Sequence, residues 1–239
     1  MPEKIIYIDG VGNVLFIHSY RARHLNITVK PFTGAKITMP IGVSLSTAIR
    51  LANKKKLWLK KHLERMKKVE KNLTRFDENS GYSTKHHQLF LKSEKRNNIS
   101  VSLSNGKINV TYPEAMDAHS SEVQTAIRNG IERALKLEAQ SYLPQKVKLL
   151  ADKFGFKYNR ITIKNIKSRW GSCSRKNNIN LSLHLMRLPE HLIDYVILHE
   201  LTHTVHLNHS TNFWHLLDNV TGRARKLDKE LKNYSISIY

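Results

Sequence analysis

In Leu192-Ile193-Asp194-Tyr195-Val196-Ile197-Leu198-His199-Glu200-Leu201-Thr202-His203 an apolar run passes without interruption into the pattern H-E-x-x-H. Pro189 and Glu190 stand just ahead of it, where a first helical residue and an acidic first-turn residue belong. The run is apolar almost all round, which predicts a buried helix. On a helix, histidines four residues apart project from one face about one turn apart. That spacing lets both imidazoles bind one zinc ion at about 2.0–2.1 Å, while Glu200, offset around the helix, can reach a water on the metal. With 13 His and 12 Glu in 239 residues, roughly 0.03 such matches arise by accident, so histidines that merely fill space are the weaker reading. Two histidines and a carboxylate at the end of an apolar helix are also costly unless they are paired or metal-bound.

Two candidates for a third ligand follow, His206 and His209. A helix continued to His206 turns that ring about 60° from the His203 direction. Asn208 tolerates the left-handed conformation that ends helices, so it is expected to turn the chain and swing His209 back toward the metal. His209 is therefore preferred. A fourth position left to water marks a catalytic rather than a structural zinc. Ser210 suits the N-cap of a helix whose Phe213 and Trp214 are expected to pack the core beneath the site.

The rest of the chain reads as α+β. Lys4 to Ile8, Val14 to His18, Leu25 to Lys30 and Ala35 to Met39 are strand-like, punctuated by Gly10, Gly12 and a Thr33-Gly34 turn, and a small antiparallel sheet is the simplest arrangement. From Ser44 a long basic amphipathic helix is expected, in which Ala48, Leu51, Ala52, Leu57, Trp58, Leu59, Leu63 and Met66 recur at roughly helical spacing while lysines fill the other face. Asp77 to Gly81 is polar and reads as a linker, and three short strands follow, the last two joined at Asn105-Gly106. Val123 to Ala139 has the period of a helix, which Pro144 should break or kink before a second piece from Val147 to Phe154. Arg160 to Ile166 and Asn178 to Leu185 alternate like paired strands flanking a loop, Ser168-Arg169-Trp170-Gly171-Ser172-Cys173-Ser174. The boundaries expected are 1–76 for a mainly antiparallel β region with its basic helix, 77–112 for the short strands and 113–239 for the domain that carries the H-E-x-x-H helix.

Taken together, the Ser168 to Ser174 loop, Ile179-Asn180-Leu181, Pro189, Ile193 to Val196 running into His199 to His203, and Asn208-His209-Ser210 with Phe213-Trp214 resemble the YgjP-like metal-dependent hydrolases. That family is zincin-like and related to the SprT-like metallopeptidases. The resemblance is dense from about Tyr142 to Trp214 and looser over Arg21 to Trp58. It implies a zincin-like metallohydrolase with His199, His203 and His209 as Zn2+ ligands and Glu200 as general base. One departure from the metzincin pattern H-E-x-x-H-x-x-G-x-x-H is that His206 occupies the glycine position, so that pattern's turn geometry does not carry over to His209.

The chain carries 40 Lys+Arg against 19 Asp+Glu, a formal charge of +21, with an ordinary globular 40% of hydrophobic residues. No window approaches eighteen apolar residues, and the first twenty residues mix Glu3 and Asp9 with apolar ones, so neither a membrane span nor a signal peptide is expected. A single cysteine, Cys173, excludes an intrachain disulfide and suits a reducing cytoplasm. Residues 1–76 hold +12 of the charge, whereas 187–218 hold only Arg187 against Glu190, Asp194, Glu200 and Asp218. Peptide hydrolysis by a zinc metallopeptidase is the leading expectation. Arg169 is a candidate to bind an anionic group or the developing oxyanion, and Ser172 to donate a hydrogen bond nearby, the bland alternative being a loop that buttresses the helix. Cys173 as a nucleophile explains fewer residues than H-E-x-x-H does. A nucleotide pyrophosphatase using the same metal chemistry is a second reading, weakened by the lack of a Gly-rich phosphate loop. A nucleic-acid-binding module or nucleic-acid-associated protease, guided by the basic N-terminal helix, is a third, set against a merely solvated lysine face.

Overall fold

Every second residue of Gly34–Pro40 is buried, namely Ala35, Ile37 and Met39, the period-two pattern of a strand with one face on a core. In the computed structural model, which describes residues 3–30, 34–71 and 74–236, this strand, β4, joins β1 (Glu3–Ile8), β2 (Gly12–Ser19) and β3 (Asn26–Lys30). The sheet order is β1-β2-β4-β3. The expected all-antiparallel sheet is corrected at one joint, because β2 and β4 run parallel, Val14 to Ser19 against Ala35 to Pro40. The chain leaves β2, lays β3 on the outer edge and returns as β4 between them, so β3 and its flanking turns are the crossover that a parallel pair needs. Thr33, expected to turn with Gly34, lies outside the described residues.

The single long basic helix is two helices, α1 (Leu45–Lys54) and α2 (Lys56–Lys71). Ser44 caps α1, its hydroxyl oxygen accepting from the Thr47 N–H at 3.3 Å. The break falls within Asn53-Lys54-Lys55-Lys56, where neighbouring ammonium groups repel and no fully buried side chain anchors the turn. Ala48, Ala52 and Leu59 complete a core with Val14, Phe16, Ile37 and Met39. Each large side chain so buried stabilises the fold by about 1.5–3 kcal/mol relative to exposure.

The chain divides into two units, Met1–Arg75 with Asp117–Thr125, and Phe76–Met116 with Ala126–Tyr239. The second unit contains β5 (Gln88–Glu94), β6 (Ser100–Ser104) and β7 (Lys107–Pro113), in the order β5-β7-β6. Asn105 and Gly106 turn β6 into β7 with φ of 49° and 68°, the two positive angles that a tight hairpin of this kind requires. α3 (Ser121–Phe154) runs 34 residues and passes through Pro144 without the expected division into two pieces. The proline forfeits one backbone bond and costs about 3 kcal/mol. Leu143 and Val147, fully buried on either side of it, return about 3–6 kcal/mol together. Glu138, buried on the same helix, accepts hydrogen bonds from Thr84 Oγ1, the His86 N–H and His87 Nδ1, which ties residues 84–87 to α3.

A three-stranded sheet follows, β8 (Arg160–Lys164), β9 (Gly171–Cys173) and β10 (Asn178–Ser182), ordered β8-β10-β9 with β9 antiparallel to β10. Two expectations are corrected here. The Ser168 to Ser174 loop contains a strand, and the strand expected to reach Leu185 ends at Ser182, giving way to a 3₁₀ turn over Leu183–Arg187. α4 (Glu190–Thr202), α5 (Thr211–Thr221) and α6 (Ala224–Leu231) complete a mixed α+β fold, with Pro189 at the N-cap of α4. α4 packs against β9, α5 and α6. No described helix is long and apolar enough to cross a membrane.

Candidate metal centre

Leu192, Ile193, Tyr195, Val196, Ile197, Leu198 and Leu201 are all buried, so α4 is enclosed almost all round and carries His199 and Glu200 into the interior at its end. His203 follows as the C-cap, still with right-handed helical backbone (φ −66°, ψ −15°), which keeps its ring on the face of His199. Thr204, Val205 and His206 then close tight turns back onto Leu201 and Thr202. The expected left-handed turn at Asn208 is absent. Among the described residues only Asn105 and Asn177 are non-glycine positions with positive φ, and the stacked turns at 204–206 do the reversing instead.

That reversal brings His209 beside His199, their Nε2 atoms 3.1 Å apart. The ligand atoms of His199, His203 and His209 all lie within 4.8 Å of one another, the one such metal-suited cluster among the described residues. His206 is not part of it. Its backbone carbonyl lies 3.0 Å from His203 Nδ1, where a proton on that nitrogen is held and Nε2 is left as an acceptor. Phe213, fully buried on α5, forms the floor, its ring centroid 5.0, 4.6 and 4.8 Å from those of His199, His203 and His209. Trp214, expected in the core with it, is only half-buried and its ring lies 6.2 Å from His209 at the open side.

Burial, followed by the neighbouring His203 and His209, pushes His199 down to about 3, and burial lowers His203 as well. Both rings are thus neutral at pH 7 with lone pairs to offer. Burial pushes Glu200 up to about 8 against the opposing charge of Arg169. Its side chain is 5% exposed and its Oε2 has no hydrogen-bond partner, an arrangement that costs free energy unless something else meets that oxygen.

β9 lies directly against this carboxylate. A Cβ built on Gly171 would fall 2.6 Å from Glu200 Oε1 and 2.8 Å from its Cγ, so only glycine admits the approach. Arg169 is exposed just ahead of β9, and Ser172 is half-buried, its Oγ accepting from Asn180 Nδ2 at 3.4 Å. Cys173 is pushed up to about 11 by burial and the charge of Glu200, the opposite of an activated thiolate. The contact made by Gly171 leaves no trace in composition or periodicity. It depends on β9, which is too short to be seen as a strand from its own residues.

The donor set fits a divalent transition metal. Two nitrogens each about 2.0–2.1 Å from a tetrahedral ion sit about 3.3 Å apart, close to the 3.1 Å between His199 and His209. Three imidazoles without a carboxylate or thiolate suit zinc, and also copper, iron or nickel.

The family model described as YgjP-like, metallopeptidase domain, matches residues 23–234. Similar solved structures include the metallopeptidase zymogen abylysin of Pyrococcus abyssi, 24% identical over 38% of this chain and 92% of that one, with a TM-score of 0.34. The metallopeptidase zymogen jannalysin of Methanocaldococcus jannaschii is 23% identical over 38% of this chain and 93% of that one, also with a TM-score of 0.34. No curated protein matches the chain.

Proposed function

The chain belongs to the YgjP-like family through its metallopeptidase domain and is a metal-dependent hydrolase, and from that premise we propose that it is a zinc peptidase in which His199, His203 and His209 hold the ion and Glu200 is the general base. The observation that carries this reading is Glu200 itself. A nearly buried carboxylate with one unpartnered oxygen stands beside three converging imidazoles, the placement in which a carboxylate serves as base and then acid. Zinc bound there supplies a Lewis acid that lowers the pKa of water and polarises a carbonyl. Glu200 takes the proton of the attacking water and delivers it to the leaving amine. β9 pairs only with β10 among the described residues, so it is the edge strand along which an extended peptide would pass the carboxylate. Arg169, whose charge acts on Glu200, is the first candidate to steady the developing oxyanion, and Ser172 the second.

The metallopeptidase domain supports peptide bonds over phosphoanhydrides as the target. A cytoplasmic location belongs to the same proposal and rests on the single cysteine. Metal analysis of the purified protein, with casein-derived peptides and nucleoside triphosphates assayed side by side for wild type and Glu200→Gln, tests it. The expected result is one zinc per chain in both proteins and peptide cleavage in wild type alone. Turnover by Glu200→Gln, or phosphate release without peptide cleavage, overturns the assignment.

A further inference from the structure

A cavity of about 550 Å³ opens beside the candidate centre, between α5 and the start of α6, and His209 is part of its wall. That volume is typical of small-ligand pockets, about 300–1,000 Å³. Arg223, Arg225 and Lys226 face it against one carboxylate, Asp218. Asp218 Oδ1 accepts from the Ala224 N–H at 2.8 Å at the same wall, and among the described residues its carboxylate makes no ion pair with any of the three cations. Arg225 is both fixed and free. Its guanidinium lies 3.6 Å from the centre of the Trp214 ring, and no hydrogen bond or ion pair among the described residues uses its donors. By contrast, Arg187 donates to the Ile236 and Ser235 carbonyls, and Arg133 to the Val101 carbonyl. A guanidinium held by stacking keeps its edge N–H groups directed outward in the fork that fits a carboxylate. The preceding segment, 187–218, is net acidic, so these cations follow a stretch of opposite charge along the chain.

Resting on the peptidase reading, we propose that this cavity is a specificity subsite that holds a carboxylate of the peptide substrate, with Arg225 as its main contact. The position limits where that carboxylate lies. Arg225 is 3.6 Å from the Trp214 ring, which is 6.2 Å from His209. At about 3.3 Å per extended residue, the anionic group falls within about three residues of the bond that is cut. It is either an Asp or Glu side chain or the C-terminal carboxylate.

Zinc-loaded Glu200→Gln protein, titrated calorimetrically with short peptides, reads binding without turnover. One arm compares a C-terminally amidated peptide containing Glu with its Gln counterpart, and the other compares an alanine peptide as free acid with its amide. Tighter binding by about tenfold or more is expected for the carboxylate in one arm, which identifies the source. Adding Arg225→Gln removes that preference, and Arg225→Lys restores part of it. Equal binding within both pairs, or a preference that survives Arg225→Gln, overturns the proposal. Hydrolysis of the same peptides by wild type is scored separately: cleavage of neutral and acidic peptides at equal rates also counts against the subsite and leaves the peptidase reading intact, while failure to cleave any peptide that binds bears on that reading alone.

Discussion

Replacing Gly171 by alanine adds one methyl group and touches no histidine. Gly171 is not among the residues with positive φ, so alanine meets no backbone strain. The whole effect comes from packing against Glu200. The new Cβ would lie 2.6 Å from Oε1 and 2.8 Å from Cγ, where ordinary contact begins near 3.4 Å. The carboxylate or β9 must therefore yield by about 0.8 Å, and neither has room, because Glu200 is nearly buried and β9 is paired to β10. A general base displaced by about 1 Å loses about a hundredfold in rate, while overpacking of one methyl costs about 1–3 kcal/mol of stability. The assay is peptide hydrolysis at saturating substrate, run beside metal content and urea unfolding. The expected outcome is kcat reduced by about two orders of magnitude with metal retained and the protein folded. A Gly171→Ala enzyme with wild-type kcat refutes the claim that β9 fixes Glu200.

Three further outcomes are expected. His184 is fully buried beside Asn165 and is pushed down to about 4 by burial, then by Arg187 and Lys167 against Glu132. Because its folded pKa lies below the ordinary 6.5, its contribution is complete above that pH and is lost as pH falls toward 4, up to about 3 kcal/mol. Unfolding free energies of wild type and His184→Gln should accordingly converge by about that amount between pH 7.5 and 4, and a pH-independent difference contradicts this. Phe213→Ala should cost about 3–5 kcal/mol in urea unfolding and weaken metal binding, since the ring is the floor beneath all three histidines; a loss under about 1 kcal/mol in that measurement contradicts the packing. Stripping the metal with a chelator should abolish turnover and lower Tm while leaving far-UV circular dichroism intact, because the core around α4 is apolar and does not need the ion to form. Unfolding on chelation would contradict it.

The helix that carries H-E-x-x-H is legible because its signals are local: an apolar run, a proline and acid at its start, and histidines at helical spacing. The Asn105-Gly106 hairpin is legible for the same reason. The parallel β2–β4 pairing is not, because it depends on a strand formed later in the chain lying inside the sheet. β9 has three residues, too few to show a period, and exists through its ladder to β10. Pro144 is read locally as a breaker, yet the buried stripe on both sides of it outweighs the lost bond. At the site, His199 and His203 can be paired from spacing alone. His209 needs the turns at 204–206, and these are built from backbone groups that composition does not describe.

His206 contributes its carbonyl to His203 and its N–H to the Thr202 carbonyl, and neither contact involves its side chain. Its imidazole is therefore incidental to the arrangement. Position 206 is expected to accept other residues that keep an N–H, glycine included, because both contacts come from its backbone. The tolerance expected there and the intolerance expected at Gly171 have one source: what the centre demands of a position is set by which atoms of that residue face it.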